Sequence, residues 1–225
     1  MTQSRLRVAL LIALTFATGS VDAVSYLTLD RVFTANMTGN VALLGFAAAG
    51  HGEIPLLRTG IALAAFVAGA VAAGRVARET VPPGAWPARV VAALTASTLT
   101  LVLVTALWAV ATRDVLAGLL GFAMGLQGGA VRRLGVADLP TTVITSTITA
   151  LAIAEPPWRR RRLAAPVALL LGAVGGALLI RWHPLLGLLP ALLTQVAVLV
   201  VAAAASGNPV AAGRGGGGGS APWCR

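Results

Sequence analysis

An all-α, polytopic transmembrane helical bundle is the fold that this 225-residue sequence predicts, on three observations. Residues of the hydrophobic set make up 57% of the chain and charged residues 11%, against about 25% charge in an ordinary soluble domain. Mean hydropathy is +0.87. Eight apolar runs follow one another with short polar breaks, several of them long enough to cross a bilayer. A soluble enzyme, a disordered chain and a disulfide-stapled secreted domain are excluded, and an integral membrane protein remains.

The runs cover residues 8–29, 33–49, 59–74, 88–111, 115–131, 139–154, 163–180 and 185–205. A spanning helix needs about 20 residues, with about 17 as the short limit. The first, fourth and eighth runs meet that easily. Runs 33–49 and 139–154 are short and crowded with Thr, Ser or Asn, which makes them the doubtful spanners. Arg5, Arg7 and Ala17-Thr18-Gly19 imitate a secretory leader, but the apolar run continues past a typical leader core, so no cleavage is expected. The membrane domain is read as residues 1–206. Ser206-Gly207-Asn208-Pro209 closes the last helix, and the glycine tract at 213–220 predicts a disordered tail over 207–225. Cys224 lies in that tail, so no disulfide or metal-thiolate framework can form within the chain.

Two halves, about 8–111 and 115–205, resemble each other at a spacing near 106 residues. Phe16-Ala17-Thr18-Gly19 recurs as Phe122-Ala123-Met124-Gly125, and Gly69-Ala70-Val71 as Gly172-Ala173-Val174. The Thr-rich segments at 34–40 and 141–147 occupy the same place in each half. Arginine tests the sense of this repeat, because all seventeen cations are Arg and positive charge collects on the cytoplasmic side. If all eight runs cross, the two sides hold ten and seven arginines. If runs 33–49 and 139–154 enter and return, the inside holds thirteen and the outside only Arg31, Arg58, Arg113 and Arg181. The second arrangement gives each half three crossings and a re-entrant half-helix. An odd number of crossings turns one half upside down, so an inverted repeat with both termini cytoplasmic is expected.

Bare backbone at membrane depth survives only against protein or a water-filled cavity, and inverted-repeat transporters place their sites where broken helices meet near the midplane. Asp22 lies deep in the first run. A carboxylate there costs about 2.5–3.5 kcal/mol on insertion scales, so it is either a coupling or ligand group or an acceptor capping unwound backbone. Thr34, Asn36, Thr38 and Asn40 could line a site with neutral donors and acceptors, or bond their own backbone and neighbouring helices. Thr141, Thr142, Thr145, Ser146, Thr147 and Thr149 carry the same two readings. Gln127, among Gly125, Gly128 and Gly129, is a candidate to answer Asp22 across the repeat axis; an interhelical hydrogen bond is its plainer role. Arg132, Arg133 and Arg159 to Arg162 read as cytoplasmic anchors, and His51 and His183 as solvated loop residues. No Ser-His-Asp set, HExxH, paired carboxylates or phosphate loop is present, so catalysis, cofactors, metal and nucleic acid are not expected.

These segments resemble the YoaK-like family of uncharacterised bacterial integral membrane proteins. The resemblance rests on Gly19, Asp22-Ala23, Phe33-Thr34-Ala35-Asn36-Met37-Thr38-Gly39-Asn40 and Gly45 in the first half. In the second half it rests on Gly125-x-Gln127, Arg132-Arg133-Leu134 and Thr141-Thr142-Val143-Ile144-Thr145. It covers about residues 8–205 and departs at Gly128 and Ser146. It implies a protein of the bacterial cytoplasmic membrane and supplies no activity. The functional expectation is a small secondary transporter of a polar or anionic solute, with the lipid bilayer as its surroundings. A non-transporting scaffold, lipid-interacting or accessory protein is the alternative, and self-association into a homo-oligomer is left open.

Overall fold

The structure, a computed structural model, describes residues 3–51, 54–76, 86–134 and 156–206. Within them the chain forms α1 (Gln3–Thr28), α2 (Met37–Ala48), α3 (Leu56–Val76), α4 (Ala88–Leu107), α5 (Arg113–Arg133), α6 (Pro156–Ile180), a 3-10 turn (Pro184–Leu188) and α7 (Leu189–Ser206). No strand occurs among the described residues. Among the described residues, six segments are long and apolar enough to cross a membrane: Arg5–Thr28, Leu56–Val76, Ala88–Leu107, Arg113–Arg133, Leu163–Ile180 and Pro184–Ala205. The expected all-α bundle is therefore present. The second apolar run does not supply a span, since α2 has only 12 residues. Its length of about 18 Å falls well short of a hydrocarbon core of about 30 Å. The sixth run and the tail lie outside the described residues.

α1 runs uninterrupted although it carries several hydroxyls, because they bond back along the helix. Thr15, Thr18 and Thr28 donate to the carbonyls of Leu11, Leu14 and Val24 at 3.0, 2.9 and 2.6 Å. This removes the cost of a bare hydroxyl in hydrocarbon. α1 and α5 are the central helices, each 61% buried over its span, against 22–39% for the others.

Two helix pairs lie in the closest contact, α1 with α6 and α3 with α5. In each, glycine lets one backbone rest on another. A Cβ on Gly19 would stand 2.9 Å from the Ala173 nitrogen and overlap the Leu169 carbonyl; one on Gly125 would stand 2.9 Å from the Ala70 nitrogen and overlap the Phe66 carbonyl. Phe16 meets Gly172 as Ser20 meets Gly176, and Ala62 meets Gly121 as Phe66 meets Gly125, so both pairs run parallel.

Helix directions follow from two apolar clusters. One, at the end where α1 begins (the near end), joins Leu10 and Leu14 to Ala73, Trp86, Val90, Leu134 and Ala202. The other, at the far end, joins Val24 and Leu29 to Val104, Leu116 and Leu188. Hence α1, α4 and α6 run from near to far, and α3, α5 and α7 from far to near. α1 ends and α3 begins at the far end, while α5 ends and α6 begins at the near end.

Candidate functional site

The segment between α1 and α3 returns to the end it left. Asp30, just past α1, pairs with Arg58 in the first turn of α3, and Arg58 Nε also donates to Asp114 Oδ1 at 2.6 Å. Arg113 completes the cluster on Asp30 Oδ1 at 2.7 Å. Asp30 and Arg31 both take left-handed backbone, at φ 56° and 63°, unusual for residues with a Cβ. This double kink turns the chain back into the bundle, and α2 brings it out again.

Two side chains hold the inward-running backbone. Asp22 lies six residues before the end of α1, about 9 Å below it, and its Oδ1 accepts from the Thr34 and Ala35 nitrogens at 3.0 and 2.8 Å. Asn40, fully buried, holds both backbone groups of one residue: Phe33 N donates to Asn40 Oδ1 at 3.0 Å, and Asn40 Nδ2 donates to the Phe33 carbonyl at 2.6 Å. Thr34, also fully buried, donates to Ser25 Oγ at 3.3 Å. The Phe33 ring stacks on Tyr26 with centroids 4.7 Å apart. Non-helical backbone at this depth is thus satisfied by protein. The capping role read for Asp22 is the geometry found. Asn36 sits at the N-cap of α2 without capping it, and Asn36 and Thr38 are exposed. The five polar residues of the first half therefore divide: Asp22, Thr34 and Asn40 build the turn, while Asn36 and Thr38 remain open at the N-terminus of α2. Thr141, Thr142 and Thr145 lie outside the described residues.

Gln127 does not join this group. Its Nε2 donates to Thr18 Oγ1 at 2.9 Å and to the Leu14 carbonyl at 3.3 Å, and its Oε1 accepts from Gln195 Nε2 at 2.7 Å. Gln195 Oε1 in turn accepts from Thr98 Oγ1 at 2.8 Å. One chain of hydrogen bonds thus crosses α4, α7, α5 and α1 near mid-span, between the two apolar clusters. Gln195 and Thr98 are not among the residues expected from the sequence to carry a polar role. The available signal was the rarity of glutamine, which occurs only at positions 3, 127 and 195, twice inside apolar runs.

A cavity of 670 Å³ opens at the far end, lined by Tyr26, Arg31, Leu43, Phe46, His51 and Ile54 among others. No group of three His, Cys, Asp or Glu capable of holding a metal occurs among the described residues.

A family model described as "Protein of unknown function (DUF1275)" matches residues 10–205. The UPF0700 transmembrane protein YoaK of Bacillus subtilis (strain 168) is 34% identical over 157 residues, 67% of this chain and 68% of that protein. No solved structure matches the chain. With the family match reaching all six spans of the described residues and the polar turn, the chain belongs to the DUF1275 family of multi-pass membrane proteins, whose function is not known.

Proposed function

We propose that the protein is a small secondary transporter of a polar or anionic solute, built as an inverted repeat. Corresponding helices of the two halves run in opposite directions: α1 against α5, α3 against α6 and α4 against α7. The close contacts match at the spacings of the sequence repeat. Gly19 on Leu169 and Ala173 corresponds to Gly125 on Phe66 and Ala70, and Gly172 on Phe16 to Gly69 on Phe122. Arg7 donates to the Leu134 carbonyl just past the end of α5, as Arg113 bonds Asp30 just past the end of α1. The near end is the cytoplasmic one in this reading. It carries Arg5, Arg7, Arg75, Arg89, Arg132, Arg133 and Arg159 to Arg162, against Arg31, Arg58, Arg113 and Arg181 at the far end.

The observation that carries the transport reading is the half-helix α2, whose N-terminus opens below the far surface with Asn36 and Thr38 exposed. The positive end of the helix dipole and the exposed Asn36 and Thr38 side chains favour a polar or anionic solute there. Asn36 and Thr38 are the solute contacts in this reading; Asp22, Thr34 and Asn40 position them, and Gln127 joins the halves behind them. Thr141, Thr142 and Thr145 are the corresponding groups of the second half. No catalytic step is assigned. Proteoliposomes offered a panel of small polar and anionic solutes test the idea. Uptake above empty vesicles, lost in Asn36→Leu with the fold intact, supports it; uptake equal to empty vesicles throughout, or unchanged by Asn36→Leu, overturns it.

A second reading, a non-transporting scaffold or accessory protein, is favoured by one observation. Asp22, Thr34 and Asn40 spend their hydrogen bonds within the α1–α2 turn itself. Stable recovery of wild type with no uptake at all would select this reading.

A further inference from the structure

The cavity at the far end has its chemistry ordered by depth. Arg31 lies three residues past the end of the first span, and His51 and Ile54 lie just before the start of the next, so all three sit at the membrane interface. The exposed Trp182 marks the same level. Leu43 and Phe46, on α2, lie further toward the hydrocarbon, and Phe46 is half exposed. Tyr26, held by its stack on Phe33, forms the wall on the α1 side.

Arg31 differs from Arg58 and Arg113 in its pairing, and from Arg181 in lining the cavity. Arg58 and Arg113 are taken up by Asp30 and Asp114, whereas Arg31 makes no ion pair among the described residues and lines the cavity. Neighbouring Asp30 is tied by two arginines, Arg58 and Arg113, and both Asp30 and Arg31 take left-handed backbone. The cavity volume of 670 Å³ falls in the range of sites for whole organic molecules, well beyond a single anion.

We propose that this cavity binds an anionic phospholipid, with the phosphate on Arg31 and His51 and acyl chain along Leu43 and Phe46. A positive group at the interface with apolar lining beneath it matches the polarity gradient of a lipid and not that of a freely soluble anion. The proposal does not depend on transport; it requires only the α1–α2 turn and the bilayer.

Native mass spectrometry of the detergent-purified full chain, titrated with dioleoyl phosphatidylglycerol or dioleoyl phosphatidylcholine, tests it. Wild type should prefer the anionic lipid by about fivefold, the worth of one interfacial arginine. Arg31→Gln should abolish that preference, and Phe46→Ala should weaken binding of both lipids. Arg181→Gln, an exposed arginine at the same end, should retain the preference. A preference that survives Arg31→Gln, or one lost equally in Arg181→Gln, overturns the proposal. Displacement of the bound lipid by millimolar inorganic phosphate would overturn it as well, in favour of a soluble-anion site.

Discussion

Arg58, in the first turn of α3, is bound to Asp30, two residues beyond the end of α1. A segment of more than twenty residues lies between them, yet its two ends meet. The contact means that 33–49 does not cross the bundle, and it places Arg58 and Arg31 at the same end. Single cysteines at positions 31 and 57, in a Cys224→Ser background, should react with a membrane-impermeant thiol reagent from one side. Cysteines at 132 and 159 should react from the other side. Labelling of positions 31 and 57 from opposite sides would contradict the fold.

The fork of Arg58 divides its donors, Nη1 to Asp30 and Nε to Asp114, with the side chain 15% exposed. Arg58→Ala should lower stability by about 1–2 kcal/mol, read as a fall in the midpoint of thermal unfolding in detergent. Arg58→Lys should recover less than half, because an ammonium cannot reproduce the two-donor fork. Equal stability of all three proteins would remove the cluster from the list of structural devices.

The glutamine chain makes a prediction about coupling. Gln195→Leu strips Gln127 Oε1 and Thr98 Oγ1 of a partner and should cost about 1–2 kcal/mol. The double change Gln127→Leu with Gln195→Leu should cost less than the sum of the single ones, by about 1 kcal/mol, because no orphaned amide remains between them. Strict additivity in a double-mutant cycle would mean the two side chains do not act together.

Gly125 and Gly175 provide a matched contrast. Gly125→Val forces a side chain into the Phe66 carbonyl and should separate α3 from α5, with loss of monodisperse protein. Gly175 has nothing within 4 Å of an added Cβ, so Gly175→Ala should be neutral or stabilising by up to about 1 kcal/mol. Size-exclusion profiles of the two variants decide the matter.

Asn40 and Asn36 share a motif but not a job. Asn40→Leu leaves the Phe33 N–H and the Phe33 carbonyl each without its Asn40 partner and should cost about 2 kcal/mol or more of stability. Asn36→Leu should stay within about 0.5 kcal/mol of wild type, since Asn36 caps nothing and is exposed. Thermal unfolding that ranked the two variants the other way would mean the turn is held differently.

Much of this architecture was legible in the sequence, for a definite reason. Whether a segment can cross a bilayer depends on its own apolarity and length, both local properties, so the six spans are readable run by run. The return of 33–49 was legible too. Arginine is counted loop by loop, and only a returning segment puts Arg58 with Arg31, as the Asp30 contact does. Other assignments needed the folded chain. Whether Asp22 is a free carboxylate or a cap depends on where Thr34 and Ala35 fall, twelve and thirteen residues on. The partner of Gln127 depends on Gln195, 68 positions away, and on Thr18, 109 positions away. Composition and periodicity specify which stretches leave water, because transfer into lipid is summed along one segment. Which polar atom meets which is set by helix packing, because a hydrogen bond needs two groups within about 3 Å, and only tertiary structure brings distant residues that close.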